Sequence, residues 1–281
     1  MEKLIITVAP TGSVPTKKNN PHIPITPEEI IQTGINCEKA GAAIIHIHAR
    51  NPADETPSAD FHIFKEICQG IKEETNLIIQ ISTGGRAGTE YEKRSARLRL
   101  KPEMASLTTG SVNFPSSVYE NSPALIRTLA RDMKTLNIKP EIEVFDVSMI
   151  QNALDLADQG LIPSPMHFDF VMGLKGAIPA TIENLVHLKN TILPGMTWTV
   201  AGIGQYQLPM CVHSILMGGH ARVGLEDCIY YKKGVHATNE QLVDRVARLS
   251  EMMGRQVATA DDARDILGLS AASQPAEAKI T

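Results

Sequence analysis

The sequence predicts a single-domain α/β fold, a (β/α)8 barrel, on three observations. Eight short β-like runs are nearly all followed by helical periodicity, the pattern of βαβ units around a parallel sheet. No Gly- or Ser-rich linker interrupts the alternation. The 281 residues exceed a typical barrel of roughly 250 by enough for loops and a short tail. The expected boundaries are residues 1–267 for the barrel and 268–281 for a small, polar C-terminal tail.

In order, the strands are read at 3–9 (KLIITVA), 43–48 (AIIHIH), 77–82 (LIIQIS) and 104–109 (MASLTT). The second half supplies 140–146 (PEIEVFD), 167–172 (HFDFVM), 197–201 (TWTVA) and 220–226 (HARVGLE). Helical stretches fall near 27–40, 57–74, 89–99, 122–137, 148–160, 179–191, 207–218 and 239–253. Thr26-Pro27-Glu28-Glu29 offers an N-cap, a proline at the first helical position and the Glu of a capping box. Asn239 is read as the cap before Glu240.

Composition narrows the function classes. A net charge of −4, from 27 basic and 31 acidic residues, argues against a nucleic-acid binder, which carries a basic excess or stripe. No apolar run approaches the roughly 20 residues that cross a bilayer. MEKLIITVAP has no cationic leader or cleavage site, so no export signal is expected. Cys37, Cys68, Cys211 and Cys228 are scattered without a C-x-x-C, which suits a reduced cytoplasmic protein.

Barrel chemistry sits at the C-terminal strand ends, so polar residues late in strands are the candidates. His46 and His48 are two apart on one strand and therefore share a face. Two imidazoles at a barrel mouth either hold a metal, zinc being usual for such a site, or cap the core through hydrogen bonds. Alternation puts Arg222, Gly224 and Glu226 on one face of the last strand, with Asp227 at the turn. Glu226 can complete a His2Glu set with one coordination position open, and Gly224 leaves the interior uncrowded. Gln80 and Ser82 share a face, as do Ser106 and Thr108, and Glu141 and Glu143. A carboxylate late in a strand needs a partner, and Arg222 is the expected one for Glu143. Arg86, after Gly84-Gly85, either meets an anionic substrate or faces solvent. Gly202-Ile203-Gly204, before a helix, is either a phosphate contact or a tight loop.

With HIHAR, STGGR, PEIEVFD and ARVGLED spread over the strands in this order, the chain resembles the β-keto acid cleavage enzymes from LIITVAPTG to GLED. The resemblance implies a zinc-dependent, commonly tetrameric barrel that reacts a β-keto acid with acetyl-CoA to give acetoacetate and a new acyl-CoA. It implies that His46, His48 and Glu226 hold Zn2+, and that Ser82, Gly85, Ser106 and Thr108 contact the keto acid. Asp227 is the implied base, arranged by Arg222, Glu143 and Ser82. The family member acting on 3-keto-5-aminohexanoate has a glutamate after the first-strand Thr-Gly to meet the substrate ammonium, whereas this chain has Val14. A substrate lacking the amino group is therefore expected: a neutral or apolar side chain first, an anionic one next, with Arg86 or Lys17 contributing. The competing enzyme readings are a metal-dependent amidohydrolase, which also uses an H-x-H pair, and a metal-dependent aldolase.

Overall fold

The architecture was described from a computed structural model, covering residues 2–86, 88 and 90–269. Eight parallel strands close into a barrel: β1 Ile6–Val8, β2 Ile44–Ile47, β3 Ile78–Ile81, β4 Met104–Thr108, β5 Lys139–Val144, β6 His167–Met172, β7 Thr197–Gly202 and β8 His220–Val223. Each strand pairs with its sequence neighbour, and β1 pairs with β8 to shut the barrel. The helices are α1 Pro27–Lys39, α2 Phe61–Glu74, α3 Tyr91–Ser95, α4 Pro123–Thr135, α5 Ser148–Asp158, α6 Ile182–Thr191, α7 Gln207–Met217, α8 Asn239–Met252 and α9 Ala260–Leu267.

Strand alternation decides the layers. Outward residues of β1, β2, β3 and β8, such as Val8, Ile45, Ile79 and Val223, form one apolar cluster with residues of α1, α2 and α8. Outward residues of β4 to β7, such as Leu107, Ile142, Phe168 and Val200, form a second with residues of α4 to α6. The interior is apolar only at its base, where Ile5, Ile44, Ile78 and Met104 pack on Ala263, Leu267 and Leu269. Above that layer it is polar: Thr7, His46, Gln80, Glu141, His167 and Thr199 are all at most 1% exposed. Burying such groups is costly unless they bond one another. His167 meets this requirement, with Nε2 at 3.2 Å from Glu141 and Nδ1 at 2.8 Å from the Thr197 hydroxyl.

Several boundaries differ from the sequence reading. α2 begins at Phe61, because Asp60 caps it and Pro57–Ser58 pairs instead with Ala49–Arg50 in a small hairpin. The helix read at 89–99 is a short α3 running into a 3-10 turn at Ala96–Leu100. Thr238, not Asn239, caps α8. The buried Asn239 side chain instead accepts the Leu225 N–H at 2.9 Å and donates to the Pro10 carbonyl at 3.2 Å. α9 is absent from the sequence reading, as are the hairpins Val112–Phe114/Ser117–Tyr119 and Tyr230–Lys232/Val235–His236. Gly268 caps α9 and Leu269 is 7% exposed, so the barrel body extends past residue 267. The rest of the expected tail, 270–281, lies outside the described residues. No helix among them is long and apolar enough to cross a membrane.

Candidate active site

At the C-terminal strand ends a cleft of about 1170 Å³ opens, with His48, Ser82, Glu143, Arg222, Glu226 and Asp227 on its floor and walls. The imidazoles of His46 and His48 and the carboxylate of Glu226 present ligand atoms within 4.8 Å of one another. His46 reaches the Gln80 amide oxygen through Nδ1, and His48 Nδ1 lies 3.1 Å from the Ser13 hydroxyl. With both Nδ1 atoms engaged, His46 Nε2 and Glu226 Oε2 are buried without a protein partner. Outer hydrogen bonds that fix ring orientation are what a metal-ligating histidine needs. Burial, with the Arg222 charge second, brings His46 down to about 4, so the ring is neutral and ready to donate its lone pair. The residues present fit a divalent cation, and they fit it better than a hydrogen-bonded cap, which would leave no buried polar atom orphaned.

Glu226 arrives by a route that alternation does not describe. β8 ends at Val223, and Gly224 turns the chain with φ +145°. A Cβ there would meet the Ala9 carbonyl oxygen at 2.1 Å, so this glycine permits backbone contact between β8 and the first loop rather than merely clearing the interior. Gly12, with φ +62°, plays the matching part: a Cβ there would lie 2.5 Å from Glu226 Cγ. Buried Arg50 holds the Gly12 and Pro15 carbonyls at 3.0 Å each, which explains the arginine of HIHAR.

Arg222 is the electrostatic centre. Its guanidinium pairs with Asp227 through two bonds, Nε–Oδ2 at 2.9 Å and Nη2–Oδ1 at 3.1 Å. It also meets Glu226 at 2.9 Å, Asp169 at 3.4 Å and the expected Glu143 at 3.8 Å. One cation cannot hold four carboxylates ionised when Glu143, Asp169 and Asp227 are buried and Glu226 is half-buried. Burial pushes Asp227 up to about 6 against the pull of Arg222, and burial and Glu141 push Asp169 well above its ordinary range. Glu143 is raised by burial too, with Arg222 opposing. Burial acts in the same sense on Glu226, but His48 and Arg222 outweigh it and hold that carboxyl low. The result is an ionised ligand beside a carboxylate basic enough to accept a proton.

Sequence reasoning missed Asp169 and Tyr119. Asp169 was legible in HFDFVM, because its parity matches His167 on an otherwise apolar strand; register then sets it beside Glu143. Tyr119 belongs to the hairpin after β4, and its hydroxyl lies 3.2 Å from that of Thr108. The apolar runs flanking Pro115-Ser116 were the available signal. Ser82, Gly85 and Val14 line the cleft, while Ser106 and Thr108 are not among its lining residues. Thr108 donates to Glu143 at 2.6 Å, and the Ser106 hydroxyl accepts the Thr83 N–H at 3.2 Å. Thr108 thus touches Glu143 and Tyr119, both of which line the cleft. Gly204 of the Gly202–Gly204 turn lines the cleft, while the Ile203 and Gly204 N–H groups are bonded to the carbonyls of Met172 and Asp227. Lys17 is ion-paired with Glu29, which removes it from the candidates for substrate charge. Arg86 is exposed on the cleft wall with its guanidinium 5.6 Å from the Phe114 ring centroid.

Late-strand metal-binding histidines, which an amidohydrolase barrel needs on its fifth and sixth strands, are not present. Glu143 and Asp169 stand there, and His167 is early in β6, against Glu141. The fold and this cleft define a (β/α)8 barrel whose mouth sets a His-His-Glu group able to hold a cation beside an Arg-held carboxylate.

The chain belongs to the β-keto acid cleavage enzyme family, whose model matches residues 3–269. It is 47% identical over 270 residues to a 3-oxoadipate:acetyl-CoA acetyltransferase of Cupriavidus necator, covering 94% of each chain. It is 46% identical over 273 residues to a 3-keto-5-aminohexanoate cleavage enzyme of Acetoanaerobium sticklandii, covering 96% of this chain and all of the relative. Among solved structures, the apo form of ObcA superposes with a TM-score of 0.77 at 21% identity, over 88% of this chain and 66% of the other. That last likeness supports the fold alone.

Proposed function

We propose that this protein is a zinc-dependent β-keto acid:acetyl-CoA transferase that converts a β-keto acid and acetyl-CoA into acetoacetate and a new acyl-CoA. The observation that carries this reading is the His46, His48 and Glu226 group, with His46 Nε2 and Glu226 Oε2 left without a partner, set beside the Asp227–Arg222 pair. A zinc ion held there supplies Lewis acidity toward the keto oxygen. Asp227 takes the C2 proton, and the fork of Arg222 fixes the carboxylate while leaving it basic. Glu143, anchored by Thr108, keeps Arg222 oriented from the opposite side. The C2 carbanion attacks the acetyl thioester and expels CoA thiolate. The thiolate then adds to the original keto carbon, and retro-Claisen cleavage releases acetoacetate and the acyl-CoA.

The side chain of the keto acid is not cationic. Val14 stands on the cleft wall, 64% exposed, and the carboxylates lining the cleft are already held by Arg222. Arg86 favours a dicarboxylic substrate, as does the similarity to an enzyme named for 3-oxoadipate. Four free thiols, three of them buried, suit a cytoplasmic enzyme, and the family resemblance supports a tetramer. The test is metal analysis paired with a panel of anionic, neutral and cationic β-keto acids, with and without acetyl-CoA. Acyl-CoA formation only with the thioester, best with the anionic acid, is the expected result. Turnover of the keto acid without acetyl-CoA overturns the transferase reading, and preference for the cationic acid overturns the substrate assignment.

A further inference from the structure

The cleft has a second charged region that the proton-transfer chemistry does not use. Directly after Asp227 the chain runs along the cleft wall as Cys228-Ile229-Tyr230-Tyr231-Lys232-Lys233, and Arg245 of α8 lines the same wall. Tyr230–Lys232 and Val235–His236 form a hairpin turning at Gly234. The fully buried Asn20 clamps its base, donating to the carbonyls of Ile229 at 2.9 Å and Ala237 at 2.8 Å. The Tyr230 and His236 rings stack with centroids 5.5 Å apart. Arg245 lies 4.4 Å from the Tyr231 ring centroid and donates to the Tyr231 carbonyl at 2.6 Å. The hairpin is therefore tied to the barrel at both ends.

The cations on this wall have no acidic partner among the described residues. Among the described residues, Lys and Arg ion pairs are made by Lys3, Lys17, Lys93, Arg222, Arg248 and Arg264. Lys232, Lys233 and Arg245 have no carboxylate, and Arg245 Nε is buried without a partner. The carboxylates that line the cleft, Glu143, Glu226 and Asp227, are all drawn to Arg222 at its floor. A chain of net charge −4 thus presents three unpaired cations on one wall of its cleft. Charges so arranged concentrate an anionic ligand there. The wall follows the eighth strand, in the part of the barrel where phosphates are often received.

We propose that Lys232, Lys233 and Arg245 bind the phosphates of the acyl-CoA thioester, placing its nucleotide end against the hairpin while the thioester lies over Asp227. This assignment rests on the transferase reading. It separates the two substrates: the keto acid side chain lies toward Arg86 and the CoA phosphates toward the hairpin. It also replaces the Gly202–Gly204 turn as the phosphate site, since that turn's Ile203 and Gly204 N–H groups are already bonded.

The experiment compares acetyl-CoA with S-acetylpantetheine, which lacks the phosphates, in the wild type and in a Lys232→Ala/Lys233→Ala double variant. The expected result is a rise of about tenfold or more in KM for acetyl-CoA, from the loss of two phosphate contacts. The kcat/KM for S-acetylpantetheine and the KM for the keto acid should change less than twofold, which also shows that the variant folds. Added salt should weaken acetyl-CoA use more in the wild type than in the variant. Acetyl-dephospho-CoA then separates the two phosphate sources. A defect that persists with it assigns the lysines to the pyrophosphate, and one that vanishes assigns them to the 3′-phosphate. An unchanged KM for acetyl-CoA overturns the proposal, as does an equal loss with both thioesters. A wild type that uses neither thioester overturns the transferase reading itself.

Discussion

Replacing Arg222 by Met in metal-depleted protein removes the cation at the centre of four carboxylates, three of them buried. The pairs run from 2.9 Å to Asp227 and Glu226, through 3.4 Å to Asp169, to 3.8 Å to Glu143. Removing one partner of a buried ion pair typically costs about 3–5 kcal/mol. The cost has a ceiling, because the stranded carboxylates take up protons rather than remain charged. Asp227, Asp169 and Glu143, already raised by burial in the wild type, then have folded-state pKa values further above their unfolded ones. A group of that kind stabilises the fold fully below its unfolded pKa and loses that contribution as pH rises through the folded pKa. Each proton so bound changes the balance by about 1.4 kcal/mol per pH unit. Between pH 8 and pH 5.5 one proton therefore offsets about 3.4 kcal/mol. At about 2–4 °C per kcal/mol for a domain of this size, the variant should melt about 6–20 °C below wild type at pH 8. At pH 5.5 the gap should shrink to a few degrees. Thermal melts of both proteins in chelator at the two pH values provide the measurement. Equal losses at both pH values, or no loss at pH 8, would show that Arg222 does not hold this cluster.

Five further outcomes follow from the same geometry. His48→Ala should lose bound metal and activity together, measured by elemental analysis and acyl-CoA formation, while its melting point in chelator stays within a few degrees of wild type. Asp227→Asn should keep the metal but lower kcat by about 10²–10⁴-fold, the range for a positioned general base. In the wild type, the deprotonated Asp227 is the active form, so kcat/KM should rise with pH along an acidic limb. That limb should lie at or below about 6, where burial places the carboxyl, because a nearby divalent cation moves it only downward. Val14→Glu should shift preference toward a cationic β-keto acid by tenfold or more in kcat/KM ratio, and an unchanged ratio would remove Val14 from the specificity argument. Asn239→Ala, which unpairs the buried Leu225 N–H and frees the loop beside Glu226, should cost about 1–3 kcal/mol of stability and weaken metal retention in a chelator competition.

Much of the site could be read because strand periodicity is a local property. His46 with His48, Glu141 with Glu143 and the inward-facing Arg222 follow from a two-residue repeat and need no knowledge of neighbouring strands. The closed barrel was legible in the same way, from the count and alternation of elements. Glu226 does lie with His46 and His48, but not by strand alternation: the strand ends at Val223, and a turn through Gly224 delivers the carboxylate. A sequence cannot show where pairing stops when the terminating contact is with Ala9, far away in the chain.

What the sequence by itself determined is the set of chemical groups and the strand face each occupies. What only the tertiary structure decided is which groups share a charge. Arg222 serves Glu143, Asp169, Glu226 and Asp227 at once because the barrel closes β5, β6 and the end of β8 around one point. Electrostatic coupling depends on distance through space and on burial, neither of which spacing along the chain encodes. The same reason leaves Lys232, Lys233 and Arg245 lining the cleft with no ion pair among the described residues. The overall charge of −4 conceals both the crowded anionic floor and the cationic wall, because a sum over the chain has no position.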